Sequence, residues 1–438
     1  AGKNQNILRE CDIDKIVETY ERRQDVDKYA HVATMQEIEE NGFNLNIPRY
    51  VDSSEAAEHW DVYASMFGGI PTAEIEELGE FWTAFPALKK ALFTESGIPY
   101  VNVSVDDIKS AIKSHPDVVG FEDAFNAAFS TFPAFLKEEL IDRMESIEIS
   151  KAETVLSADI FERLKDIPLI DKYAAFQLLD DDWTGISIDL EVLQTEGFSA
   201  TKEVDPNLVI KKKDGKDQEV QEGWVGHIIP FDLVQATLLS AETDELHGLE
   251  SRLAEIPSEY ESILDEMTEE DKESCNDVLT EEGDAFVPKE VSKKIKELKK
   301  DRSPESVALR TLLEKVESLV KSEKEIKAEI KAKSAALQAK TKDTIERLSD
   351  EQALDLLEKK WIAPLIESIH KLPDTVIDSL VSKIQALQNK YATTFFEVEQ
   401  QISETEATLS GMIDDLEGNE YDMLGLNELK KLLGGSAE

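Results

Sequence analysis

Cysteine is almost missing from this chain of 438 residues, which carries only Cys11 and Cys275, far apart in sequence. Two distant thiols exclude a disulfide-stapled scaffold and suit a reducing cytoplasm. No run of about 18 apolar residues occurs and no leader pattern is found, so neither membrane insertion nor export is indicated. The six histidines, His31, His59, His115, His227, His247 and His370, keep no ligand spacing with one another or with cysteine, which argues against zinc. Asp414 to Asp422 is acidic but lacks the alternating oxygen ligands and closing glutamate of a calcium loop. Neither a phosphate-cradling Gly-x-x-x-x-Gly-Lys loop nor a nucleophile elbow is found. Basic residues are scarce too: 48 Lys and Arg face 93 Asp and Glu, for a formal charge of -45.

What is present is enough to fold. The chain is 41% hydrophobic, too apolar for a disordered acidic tail, and long enough for two or three domains with their own cores. Its acidity runs against nucleic-acid binding, because phosphate contacts come from Lys and Arg. It reads either as a solvated surface that aids solubility or suits a saline habitat, or as a DNA mimic that fills a basic cleft. The charge is also uneven. From Lys289 to Arg347 seventeen basic residues meet eleven acidic ones, the reverse of the flanking stretches. Lys293, Lys294, Lys296, Lys299 and Lys300 form the core of this segment. They are the candidate contacts for nucleic acid or an acidic partner, with a solvated helix face as the plain alternative.

The pattern predicts a mainly α fold in three regions. Residues 1–52 read as two helices and a short strand from Asn44 to Val51, with Pro48 marking a sheet edge. Residues 53–230 read as a mainly helical domain with small β elements, anchored by Phe81, Trp82, Phe93 and a ladder of Phe121, Phe125, Phe129, Phe132 and Phe135. The ladder's steps of four and three predict a buried helix face, with Pro133 breaking the helix before Phe135. Val209 to Lys213, then Asp214-Gly215, then Lys216 to Val220 predicts a β-hairpin whose exposed edge is marked by Lys211 to Lys213. Residues 231–438 show three apolar runs: Leu246 to Met267, Leu309 to Ile330, and Ile377 to Ile402. Their steps of three and four predict long antiparallel coiled-coil helices, with Glu323 as a gap in the second run. Pro257 should kink or split the first run, and Ser303-Pro304 should start a helix.

One stretch carries more specific information. Glu37-Ile38-Glu39-Glu40-Asn41-Gly42-Phe43-Asn44-Leu45-Asn46-Ile47-Pro48-Arg49-Tyr50 resembles the terminal signature of the catalytic domain in modification subunits of type I restriction-modification systems, which are DNA adenine-N6 methyltransferases. Lys3-Asn4-Gln5-Asn6, the run Asp14 to Tyr20, and Tyr29-Ala30-His31-Val32 precede it in the family's order. Looser likeness continues through Phe81-Trp82, Pro86 to Phe93, Ile167 to Tyr173, Asp182-Trp183, Gly226-His227-Ile228-Ile229-Pro230 and Lys360-Trp361-Ile362-Ala363-Pro364-Leu365. The signature residues are Asn44, Asn46, Pro48, Arg49 and Tyr50. They are expected to be structural, with Arg49 in a position to reach a phosphate.

The resemblance implies a catalytic Asn/Asp-Pro-Pro-Phe/Tyr loop that holds a flipped adenine, and a Gly-rich turn for S-adenosylmethionine. No Pro-Pro pair exists here, and Gly68-Gly69 lacks the strand-turn-helix context. The expectation is therefore a carboxy-terminal portion, a processed or excised fragment that is inactive by itself. Its tail of a methyltransferase fold would be followed by helices that assemble with the specificity subunit and a second modification subunit. DNA would be met through that complex, and S-adenosylmethionine would bind the parent protein outside this chain. Leu309, Leu312, Val316 and Leu319, or Ile384, Leu387, Tyr391 and Phe395, are the candidate partner contacts. Burial of the same seam within the chain is equally open. The alternative is a stand-alone acidic DNA mimic or coiled-coil interaction protein.

Overall fold

The computed structural model describes residues 8–52, 59–95, 99–213, 216–280, 283–301 and 303–433. It is mainly helical with two small sheets. Contacts divide the chain into two compact units. One comprises residues 1–138, 148–185 and 364–438, and the other residues 139–147 and 186–363. These bounds do not follow the expected divisions after residues 52 and 230.

The first unit is built around short helices. Ile75, Phe85, Leu88, Leu92 and Ile112 share one core with Ile377, Leu380 and Ile384 from the helix Leu372–Lys390. The third apolar run therefore buries its first half inside this unit. Its second half lies on a separate helix, Phe395–Asp414, where Phe395, Val398 and Ile402 are exposed. A three-stranded antiparallel sheet, whose strands the sequence does not locate among the small β elements expected there, pairs Ile70–Pro71 and Phe93–Glu95 with the central strand Tyr100–Val103. Its strands have four residues or fewer, too short to establish an alternating pattern.

The phenylalanine ladder is buried as its spacing predicts. Phe121, Phe125 and Phe129 line the helix Pro116–Phe129, and Phe132 continues the cluster, with Phe125 and Phe129 stacked at 4.7 Å. The helix is broken before Phe135, ending at Phe129, and Pro133 follows the break. It sits in the first turn of a new helix, Phe132–Leu136, where a missing N–H costs nothing. Arg163 closes the cluster. Its guanidinium lies 5.2 Å from the Phe132 ring centre and donates to the Ala128 carbonyl at 2.7 Å, capping the preceding helix.

A polar cluster ties the helix Leu372–Lys390 and Tyr391 to the elements around residues 60–76. Lys390 donates to Glu74 at 2.9 Å, the Tyr391 hydroxyl donates to the same carboxylate, and the Asp61 amide donates to the Tyr391 hydroxyl at 3.1 Å. Burial and the neighbouring Glu74 push the Tyr391 hydroxyl above its ordinary pKa.

The second unit holds a two-stranded antiparallel hairpin, Val204–Lys213 with Lys216–Gly226, as expected. Its predicted Asp214-Gly215 turn, and the side chains of Lys211 and Lys213, lie outside the described residues; Lys212 is exposed. The helix Pro304–Glu346 starts where predicted, with the Ser303 hydroxyl accepting from the Ser306 amide. At 43 residues it is about 65 Å long. It packs along the helix Ser240–Glu266. The ties Glu242 to Lys340, Glu245 to Lys333, Tyr260 to Glu323 and Glu266 to Lys315 run in opposite order on the two helices, so the pair is antiparallel.

Glu323, the gap in the second run, is filled by that pairing. The Tyr260 hydroxyl donates to it at 3.1 Å, and burial beside this carboxylate pushes the hydroxyl up to about 12. Pro257 does not split its helix. It faces solvent, where water is available to the carbonyl that the proline ring leaves unpaired.

The Phe125→Ala variant should cost about 3–5 kcal/mol in urea unfolding, whereas the half-buried Phe135 truncated to Ala should cost clearly less. Equal losses would show that the ladder does not bury the face described.

Candidate functional site

The signature segment is a chain of local caps. Thr34 and Glu37 form a capping box for the helix Met35–Glu40, the Thr34 hydroxyl accepting from the Glu37 amide at 3.2 Å. The helix ends at Gly42 and Phe43, both at positive φ of 65° and 59°. The Asn44 side chain then accepts from the Asn46 amide at 2.9 Å, and the Tyr50 hydroxyl donates to the Asn44 carbonyl at 2.6 Å. Between them Ile47–Arg49 forms one 3-10 turn with Pro48 in its first positions. The expected strand from Asn44 to Val51 is thus absent. The Asx turn at Asn44 and the missing N–H of Pro48 both oppose a sheet ladder. Asn44, Pro48 and Tyr50 shape the loop, while Asn46 and Arg49 are exposed.

Upstream, Ile16, Thr19, Tyr20, Tyr29, His31 and Val32 line a groove of about 610 Å³. His31 anchors its rim, with Nε2 at 3.0 Å from Glu37 and Nδ1 at 3.3 Å from Asp25. Asp25 in turn accepts from the Val32 amide at 2.7 Å. The hydrogen bond to Glu37 outweighs partial burial and, with the negative charge of both carboxylates, raises the His31 pKa. The same contact holds the Glu37 carboxyl below its usual range.

The five lysines do not act as one free patch. Lys294 pairs with Asp277 at 3.0 Å, Lys293 with Glu290 at 3.3 Å, and Lys299 stands 3.9 Å from Glu314. Lys296 and Lys300 are exposed. Among the candidate partner contacts, Leu309 and Val316 are buried in a core with Ile263 and Leu264, and Leu312 and Leu319 are partly covered there. Ile384 and Tyr391 are buried and Leu387 is partly buried in the first unit's core, which leaves Phe395 as the exposed one of the eight.

Two runs singled out only by resemblance meet in the second unit. Asp189, 8% exposed, accepts from Lys360 and, at 2.7 Å, from the Trp361 indole N–H. Lys360 also donates to the Ile228 carbonyl at 2.7 Å. Gly226 is required here, because a Cβ would lie 1.8 Å from the Ile229 carbonyl oxygen. Periodicity has no way to find such a cluster, since its members lie up to 172 positions apart in sequence. Lys360 and Trp361 both find acceptors within the protein, as befits a structural tie.

The Gly68-Gly69 pair does not fit an S-adenosylmethionine turn. It follows a helix and precedes a strand, and Cβ atoms there would lie 3.3 Å from Thr394 and Tyr100, so its backbone is covered by the protein itself. Among the described residues no group of three His, Cys, Asp or Glu is arranged to hold a metal ion, and no helix is long and apolar enough to cross a membrane.

Comparison with known proteins bears on the segment that holds the groove and the signature. Residues 1–59 match the family described as N-6 DNA Methylase. This segment is similar to N6 DNA methyltransferases. Over 77 residues the chain is 38% identical to the type I restriction enzyme MjaVII methylase subunit of Methanocaldococcus jannaschii, a stretch that is 17% of this chain and spans 13% of that relative's length. No solved structure matches the chain.

Two outcomes test these clusters. Lys360→Met leaves Asp189 buried without its cation and should lower stability in urea by about 3 kcal/mol, with Lys360→Arg milder. In the methylase-like segment, a raised histidine pKa contributes stability that is complete below its ordinary value of about 6.5 and is lost as pH rises through the folded value. The Val32 and Glu37 amides should therefore exchange faster in His31→Gln than in the unaltered protein near about pH 5.5, and the difference should fade in alkali. A pH-independent difference would contradict the clamp.

Proposed function

We propose that the chain is a carboxy-terminal part of a type I restriction-modification DNA adenine-N6 methyltransferase subunit. Its role is to mediate assembly with the DNA specificity subunit and a second modification subunit. The observation that carries this reading is the 1–59 match to N-6 DNA Methylase, joined to a folded signature loop with its own caps. A second observation supports it: Ile16, Tyr20, Phe43, Leu45 and Ile47 in that segment are exposed, apolar surface suited to packing in a larger domain. The remaining chain is helical scaffold, with the antiparallel pair Ser240–Glu266 and Pro304–Glu346 as a coiled-coil-like arm.

On this reading the adenine loop and the S-adenosylmethionine site belong to the parent protein rather than to these residues. DNA is engaged through the assembled complex, in the cytoplasm. Type I modification of this kind needs no large basic face here, which accords with a charge of -45.

Calorimetry with S-adenosylmethionine should give no binding heat, and the reading frame preceding Ala1 should encode an Asn/Asp-Pro-Pro-Phe/Tyr motif. Size-exclusion chromatography with the cognate specificity subunit should give a joint peak. Cofactor binding by the chain itself, or separate elution of the two proteins, would overturn the proposal.

A further inference from the structure

A helix with an apolar stripe needs a surface to lay it against. Phe395, Val398, Ile402, Leu409, Met412 and Leu416 recur at steps of three, four and seven, so they share one face along and just past the helix Phe395–Asp414. Each is at least 38% exposed. Singly exposed apolar side chains are ordinary, but a stripe of them interrupted only at Thr405 marks an interaction site. The stripe is extended where the helix Val62–Phe67 packs against the same helix. Trp60, Val62 and Phe67 are exposed there. Gly68, at φ of 83°, makes the close approach possible, since a Cβ would lie 3.3 Å from the Thr394 methyl group.

The surface is preformed. Thr394 and Glu397 build a capping box that starts the long helix, the Glu397 amide donating to the Thr394 hydroxyl at 3.1 Å. Asp61 caps the short helix by accepting from the Ala64 amide at 2.8 Å.

Charge selects the occupant. From Tyr391 to Leu429 there is no Lys or Arg and there are ten acidic residues; from Tyr50 to Leu88 there is again no Lys or Arg, with eight acidic residues. Glu399 follows Val398 by one residue and Glu406 stands one heptad further on, so both lie on one flank of the seam, where paired helices match opposite charges. A second copy would bring like charge, and nucleic acid or an anionic membrane would be repelled.

We infer that this face docks an amphipathic helix of a partner protein, one that carries Lys and Arg on the flanks of its own apolar stripe. The inference rests on the assembly reading above and gives it a location and a partner chemistry. Fluorescence anisotropy with the full chain provides the test, using a labelled helical peptide of about three heptads with Leu on the stripe and Lys on its flanks. The peptide should bind roughly tenfold more tightly than a scrambled peptide of the same composition, and more tightly than its Glu-for-Lys counterpart. The double variant Ile402→Ser, Met412→Ser should lose roughly the same factor at unchanged far-ultraviolet circular dichroism. Glu399→Lys with Glu406→Lys should weaken binding most at low salt. Equal binding of the scrambled peptide, or unchanged affinity in the double serine variant, would overturn the inference. The outcome is separable from assembly: co-elution with the specificity subunit without peptide discrimination refutes this face alone. Peptide discrimination without co-elution refutes the assembly reading alone.

Discussion

A carboxylate taken out of water must find a cation or donors, and in this chain cations are outnumbered almost two to one, 48 against 93. The two units meet that constraint with the same device. In the second unit Asp189 receives Lys360 and Trp361; in the first, Glu74 receives Lys390 and Tyr391. In each case a lysine and the aromatic residue after it, at or just past a helix end, converge on one carboxylate. One supplies charge and the other a neutral donor on an apolar ring, so a single basic residue suffices where two would otherwise be needed. Such pairs add little net stability over an apolar alternative, but a mispaired arrangement would strand a buried charge. Their effect is to fix which segment meets which.

Further bases lie along the antiparallel helices. Lys315, Lys333 and Lys340 each reach a glutamate of the partner helix, and Tyr260 reaches Glu323. Exposed pairs of this kind are screened by water and contribute little, so they orient the helices while Leu309, Leu313, Val316 and Ile263 hold them together. The local excess of lysine between residues 289 and 347, which by itself reads as a binding patch, is in part an internal supply of counter-charge. Three of its five central lysines have carboxylate neighbours.

Much of the helical architecture was legible because a helix period is visible in one dimension. The phenylalanine steps from Phe121 to Phe132, the Ser303-Pro304 start and the hairpin strands follow from local rules. The failures share a cause. Asn44 to Val51 has strand-like alternation, yet the Asn44 side chain competes for its own backbone and closes a turn that no pattern of apolar residues reports. Pro257 does not split its helix because it faces solvent, a setting that is not written in the neighbouring residues. The third apolar run looks continuous from Ile377 to Ile402 but is cut at Tyr391, whose hydroxyl is committed to Glu74. Within the candidate site, the caps of the signature loop could be read from residue types, whereas Asp189 could not be joined to Lys360 without a fold.

Periodicity also gives a face without saying what covers it, and on the proposed function that distinction decides where assembly would fall. The long helices of the second unit carry the most conspicuous runs, but those runs cover each other, leaving little apolar surface for a partner. Uncovered apolar surface concentrates instead in the methylase-like segment, at Tyr20, Phe43 and Ile47, and on the helix Phe395–Asp414. Both lie in the first unit and are far apart in sequence. The proposed function would require two such surfaces, because one apolar face cannot serve two neighbours at once. The acidic flanks of the second make it selective, since they weaken every anionic competitor while leaving the desolvation of Ile402 and Met412 to supply the affinity.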